Sequence, residues 1–95
     1  MSRTAVVILN YNGEKLLQQF LPSVVQFSPE AEIIIADNNS TDGSIGFVQQ
    51  LFPDIKIIQL DRNYGYCGGY NRALDEIDTD YVVLLNSDIE VTAGW

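Results

Sequence analysis

The sequence contains no histidine, a single cysteine (Cys67) and only 5 basic residues against 13 acidic ones. Each shortage removes a class of function. Without histidine there is no Ser-His or Cys-His nucleophile, and a lone cysteine in a chain without histidine builds neither a zinc finger nor a disulfide framework. A net charge of −8 opposes an electrostatic grip on nucleic acid or on an anionic membrane surface, so no nucleic-acid partner is expected. No apolar run approaches the roughly 18 residues needed to span a bilayer. The opening Met1-Ser-Arg-Thr4, followed by a short β-like run, does not read as a signal peptide, and none is expected in residues 1–95. A cytoplasmic location is expected, with association to the cytoplasmic face of a membrane left open for a longer protein. What the chain does have is core: 46% of its 95 residues are hydrophobic, enough for one small globular domain.

Thr4 to Leu9 is a short run of β-branched and aliphatic residues without alternation, which suits a strand covered on both faces. It closes into the turn-forming Asn10-Tyr-Asn-Gly13. From Glu14 to Phe27 the residues Leu16, Leu17, Phe20, Leu21, Val24 and Val25 recur at helical spacing and form one apolar stripe. Pro22 lies inside that stripe and predicts a kink or break near Leu21. Glu32 to Asp37 reads as a second buried strand. A polar loop follows, in which Ser40 and Asp42 are helix-capping candidates. Ile45, Val48, Leu51 and Phe52 give the next helix an apolar face, and Pro53 ends it. A third strand is expected from Ile55 to Leu60, a third helix from about Tyr70 to Ile77, and a fourth strand from Tyr81 to Leu85. Alternating strands and helices imply a right-handed, mainly parallel α/β sheet of Rossmann-like type, with strand order 3-2-1-4.

Such sheets bind ligands beyond the carboxyl ends of their strands, where strand order reverses. The residues at those exits are Asn10-Tyr11-Asn12, Asp37-Asn38-Asn39-Ser40, Asp61-Arg62-Asn63 and Asn86-Ser87-Asp88. Taken singly, each is an ordinary cap or turn sequence. Together they collect carboxylates and amides on one rim, which is chemistry for holding a polar ligand and a hard cation.

Four blocks carry a resemblance that composition alone does not: Val6-Val-Ile-Leu-Asn-Tyr-Asn-Gly13, Ile33-Ile-Ile-Ala-Asp-Asn-Asn-Ser-Thr-Asp-Gly43, Asn63-Tyr-Gly-Tyr-Cys-Gly-Gly-Tyr-Asn71 and Leu84-Leu-Asn-Ser-Asp-Ile-Glu90. In order and spacing they resemble family 2 glycosyltransferases, inverting enzymes of the nucleotide-diphospho-sugar transferase fold, over nearly the whole chain. The resemblance implies transfer of a sugar from a dTDP- or UDP-sugar donor to a saccharide or lipid-linked acceptor, in polysaccharide or cell-wall assembly. It places Asn10, Tyr11, Asp37, Asn63, Asn86 and Ser87 at the nucleotide, and Asp88 at a divalent cation, Mg²⁺ or Mn²⁺.

Chemistry supports several of these assignments. A carboxylate is acceptor-only, so Asp37 suits the imide N–H of uracil or thymine. Tyr11 is placed either to cover a base or to pack over the sheet edge. Gly65, Gly68 and Gly69 permit close backbone approach where a helix begins. Many relatives carry Ala-Arg-Asn where this chain has Gly69-Tyr70-Asn71, so any contact made by that arginine is missing here. Cys67 reads as a small packing residue. Asn86 stands where the metal motif has its first aspartate; it keeps a hydrogen bond to ribose but removes one charge. The Gly-Gly-x-Asn and Leu-Asn-Ser-Asp blocks resemble a branch rich in rhamnosyltransferases.

Inversion requires a general base beside the acceptor hydroxyl. In the family it comes from a later segment, and nothing in this sequence matches it, so the base is expected beyond Trp95. Residues 1–95 are therefore expected to be the donor-binding opening of a longer transferase, inactive in transfer by themselves. Such a half-fold should expose the side of its fourth strand, and either marginal stability or self-association through the sheet edge is expected. The alternative is a non-enzymatic nucleotide-binding or receiver-like α/β module. A receiver needs an acidic cluster after the first strand, where this chain has amides. A dinucleotide-binding domain needs Gly-x-Gly-x-x-Gly at the same turn, which is Asn10-Tyr-Asn-Gly13 here.

Overall fold

The computed structural model describes residues 4–27, 31–77, 79 and 81–86. The chain runs β1 (Thr4–Asn10), α1 (Glu14–Phe27), β2 (Glu32–Asp37), α2 (Ser44–Leu51), β3 (Lys56–Gln59), α3 (Gly65–Leu74) and β4 (Tyr81–Asn86). All pairings are parallel and the sheet order is β3-β2-β1-β4, as the alternation of elements implied.

The two central strands are covered on both faces, and their residues alternate between two apolar layers. Val6 and Ile8 of β1 join Ile33 and Ile35 of β2 against Leu17, Leu21 and Val24 of α1 and Val48 of α2. Ala5, Val7, Ile34 and Ala36 face the other way, against Tyr70 and Ala73 of α3, with Ile58 and Leu60. Ile35 is fully buried, and truncating such a side chain to alanine costs about 2–5 kcal/mol. With α1 and α2 on one face and α3 on the other, the connection direction reverses at β1. The carboxyl end of β1 is therefore the switch point at which ligands bind in open α/β sheets.

Several local expectations are corrected. Of the kink or break expected near Leu21, the break does not occur, since α1 runs through Pro22. Pro22 and Gln18, whose carbonyl loses its helical donor, are both exposed, so water can serve that group. The Ser23 hydroxyl also donates to Phe20 O at 2.8 Å. α3 begins and ends earlier than periodicity suggests. Its three glycines weaken the helical signal, but close packing requires the last of them: a Cβ on Gly69 would lie 2.7 Å from both Asn38 Nδ2 and Leu9 Cδ1. Gly65 has φ +75°. β3 is shorter at both ends than the expected run from Ile55 to Leu60. Cys67 is exposed rather than packed. Leu16 and Leu51, assigned to apolar helix faces, are 38% and 59% exposed. Phe47 and Phe52 instead meet edge-to-face at 6.2 Å beside the first apolar layer.

The two sheet edges differ. β3 is short and carries Lys56, a common way to blunt an edge. β4 leaves Tyr81, Val82 and Leu84 exposed at 61%, 37% and 46%. No helix among the described residues is long and apolar enough to cross a membrane.

Candidate functional site

Asn10 and Asp37 are the last residues of β1 and β2 and stand side by side in the ladder. Each follows its strand's first apolar layer by two residues, so both side chains point to the α1–α2 face. Both are buried. Asp37 Oδ1 accepts from Asn10 Nδ2 at 2.9 Å and from Ser40 Oγ at 2.6 Å, while Oδ2 accepts from Ser40 N–H at 2.8 Å. Asn10 Nδ2 also donates to Ser40 Oγ at 3.2 Å, and Asn10 Oδ1 accepts from Gly13 N–H at 3.2 Å. An ionised carboxylate offers roughly four acceptor positions. Oδ2 therefore retains one that these hydrogen bonds do not use, whereas both N–H groups of Asn10 are committed to the protein.

Ser40 is not a helix cap, in contrast to the sequence reading. It lies four residues before α2 and closes the turn at Asp37 instead. Asp42 does cap, and it caps two helices. Its Oδ1 accepts from Ser44 N–H at 2.9 Å and from the Ser44 hydroxyl, while Oδ2 accepts from Glu14 N–H at 3.1 Å. Glu14 Oε1 reciprocates by accepting from Gly43 N–H at 3.2 Å. The N-termini of α1 and α2 are thereby clasped together, each supported by a carboxylate from the other's approach. Burial would raise the Asp42 carboxyl, but hydrogen bonds from the Ser44 side chain and backbone and from the Glu14 backbone outweigh it. They hold Asp42 below its ordinary 3.8.

Asn12 completes this clasp, a role that the sequence reading misses. It adopts φ 50°, a left-handed conformation that asparagine tolerates. Its Oδ1 accepts from Thr41 N–H at 2.7 Å and Asp42 N–H at 3.2 Å, and its own N–H donates to Ser40 Oγ at 2.9 Å. The Asn-Gly pair at the strand exit is the signal that could have marked it. Tyr11, beside it, is half exposed at the rim.

Asn38, one residue beyond Asp37, points to the opposite face. Its Nδ2 donates to Gly65 O at 3.0 Å and its Oδ1 accepts from Tyr64 N–H at 3.2 Å, so this buried amide fixes the start of α3 to the exit of β2. Asn63 is exposed, and its Oδ1 accepts from Gly65 N–H at 2.8 Å, capping α3. It does not touch the Asn10–Asp37 pair.

At the β3 exit the Tyr64 hydroxyl donates to Asp61. The guanidinium carbons of Arg72 and Arg62 lie 4.7 and 5.7 Å from the Tyr64 ring centre. The hydrogen bond from Tyr64 holds Asp61 below its usual value and pushes the Tyr64 phenol above its own. A shallow depression of about 400 Å³ opens beside this group, lined by Gln59, Asp61, Tyr64, Arg72, Asp75 and Glu76 among others.

Asn86 is the last residue of β4 and pairs with Leu9 in the ladder. Ser87 and Asp88 lie outside the described residues, as does Trp95, beyond which the general base is expected. Among the described residues no group of three or more acidic or cysteine side chains could hold a metal ion.

The structure therefore joins Asn10 to Asp37, sets Tyr11 beside them, and brings the β4 exit alongside β1. A doubly wound parallel sheet with a polar rim at its switch point defines an α/β domain of the Rossmann-like type. The sequence matches Glycosyl transferase family 2 over residues 5–95, and the chain belongs to that family. It is 30% identical, over 98% of its length, to the teichoic acid poly(glycerol phosphate) polymerase of Staphylococcus epidermidis, of which it covers 14%. It is 32% identical, over 99% of its length, to the GalNAc(5)-diNAcBac-PP-undecaprenol beta-1,3-glucosyltransferase of Campylobacter jejuni, of which it covers 32%. The structure of S. aureus TarS in complex with UDP-GlcNAc superimposes with a TM-score of 0.77 at 28% identity, over 90% of this chain and 26% of TarS. The chain thus spans no more than about a third of these relatives.

Proposed function

We propose that this chain binds the nucleotide of a nucleotide-diphospho-sugar and forms the donor site of an inverting glycosyltransferase of glycan or cell-wall assembly. The observation that carries the reading is Asp37: a buried carboxylate at the switch point, held by Asn10 and Ser40, with an acceptor position left on Oδ2. On this reading that oxygen receives the imide N–H of uracil or thymine, and Tyr11 lies over the base. The TarS complex supports the assignment because its ligand is a UDP-sugar on the same fold. The glucosyltransferase relative supports a lipid-linked acceptor. Either UDP or dTDP donors satisfy Asp37, since both bases present the same imide edge.

Asn86 ends β4 beside Leu9 of β1, and on this reading Asn86, Ser87 and Asp88 would face the diphosphate. Asp88 with Asn86 offers only oxygen donors, which suits Mg²⁺ or Mn²⁺. One carboxylate makes an incomplete shell, so phosphate oxygens and water would complete it. When bound, the cation stabilises the negative charge of the departing nucleoside diphosphate. In the transfer itself the acceptor oxygen bonds to the anomeric carbon, the bond to phosphate breaks, and a base from beyond Trp95 takes the hydroxyl proton. Residues 1–95 contribute the donor side of that reaction.

Titration of the chain with UDP, with and without Mn²⁺, tests the reading. Mn²⁺ is expected to tighten UDP binding, and Asp88→Ala to remove that gain while leaving the metal-free affinity unchanged. UDP binding that ignores both Mn²⁺ and Asp88→Ala would refute the metal assignment.

A further inference from the structure

The phenol of Tyr70 is buried in the layer between α3 and the sheet, where a phenylalanine would supply the same apolar contact. A buried hydroxyl needs a partner. Tyr70 donates to Leu85 O at 2.5 Å, across 15 residues of sequence. That carbonyl belongs to the peptide unit leading directly into Asn86, the end of β4 and the start of the segment assigned to ribose and cation. Gly69, the preceding residue, is pressed against Leu9 and Asn38. Asn38 in turn holds Tyr64 N–H and Gly65 O. Residues 64–70 therefore tie the exit of β2, the end of β1 and the exit of β4 into one body. Asp37 sits at the first of these ties and Asn86 at the last.

From this arrangement we propose that Tyr70 is a positioning residue of the donor site. Its hydroxyl fixes the Leu85–Asn86 peptide, from which the chain continues to Ser87 and Asp88, relative to Asp37, so that base and diphosphate are engaged at a fixed spacing. The proposal rests on the nucleotide-binding reading above. Because Tyr70 acts at the β4 exit, it should govern the diphosphate and cation part of binding and leave the nucleoside part to Asp37.

The test is Tyr70→Phe, which keeps the ring and removes the hydroxyl. Uridine and UDP are titrated into wild type and variant, with and without Mn²⁺. The expected result is that uridine affinity stays within about twofold, while the gain in UDP affinity from Mn²⁺ falls by about tenfold, the scale of one buried hydrogen bond. Amide hydrogen exchange on the ligand-free proteins gives a second readout: exchange should rise in residues 84–86 and stay unchanged in Ile33 to Ala36. A variant with the full Mn²⁺ gain, a loss of uridine and UDP binding in equal measure, or a uniform rise in exchange would each overturn the proposal. A wild type that binds neither uridine nor UDP would overturn the nucleotide reading and this inference with it. A wild type that binds with Mn²⁺ and a variant that matches it would overturn this inference alone.

Discussion

The carboxamide of Asn38 and the backbone of Gly69 meet so closely that a Cβ on the glycine would lie 2.7 Å from Nδ2 and 3.0 Å from Oδ1. This contact seats α3 on the sheet beside the β2 exit. We predict that Gly69→Ala destabilises the fold by about 1–3 kcal/mol, the usual cost of overpacking, despite the better helix propensity of alanine. Urea unfolding would check it. An equal or higher midpoint would show that α3 does not depend on this approach.

The crossed clasp of Asp42 and Glu14 gives a second expectation. Asp42→Ala removes acceptors from Ser44 and Glu14 and should cost about 1 kcal/mol, as for loss of a helix cap. The pH dependence has a defined sign. Asp42 is depressed in the folded state, so its contribution is fully present above the unfolded value of 3.8 and is lost as pH falls through the lower folded value. The stability difference between wild type and Asp42→Ala should shrink on acidification through that window. A difference that grows there would contradict the assignment.

Tyr64 and Asp61 are hydrogen-bonded partners. The Tyr64 hydrogen bond is the leading cause of the depressed Asp61 carboxyl. Tyr64→Phe should therefore move Asp61 up toward its ordinary value, read by carboxyl NMR titration. An unchanged Asp61 would assign its shift to Arg62 and Arg72 instead.

The exposed Tyr81, Val82 and Leu84 on β4 form an apolar edge. We predict concentration-dependent self-association in sedimentation, reduced by Leu84→Lys. A strictly monomeric chain with an ordinary cooperative melt would count against an open edge at β4.

The order of elements is legible because buried strands and one amphipathic helix write their periods plainly into the sequence. Thr4 to Leu9 and Glu32 to Asp37 carry the two-faced burial of central strands, and the reversal at β1 follows from connection rules. The bounds of α3 escape that reading because its start is fixed by tertiary contacts, the Asn38 amide and the Gly69 approach, against weak local propensity. Within the site, Asp37 stands out as a carboxylate after a buried strand. Asn12, Asn38 and Tyr70 do not, because their roles lie in partners 15 to 30 residues away in sequence. Ser40 resembles a cap by residue type, yet its place in the loop turns it to Asp37.

The central claim is that the Asp37 carboxylate receives an imide N–H. Cytosine presents an acceptor at that ring position where uracil presents a donor, so UDP and CDP differ at the one atom the claim concerns. Titrating both into the wild-type chain under identical Mn²⁺ concentration is the most direct test. The account predicts that UDP binds at least about tenfold more tightly, one hydrogen bond to a charged group being worth roughly 1.5–3 kcal/mol. Equal affinity for the two nucleotides would contradict it.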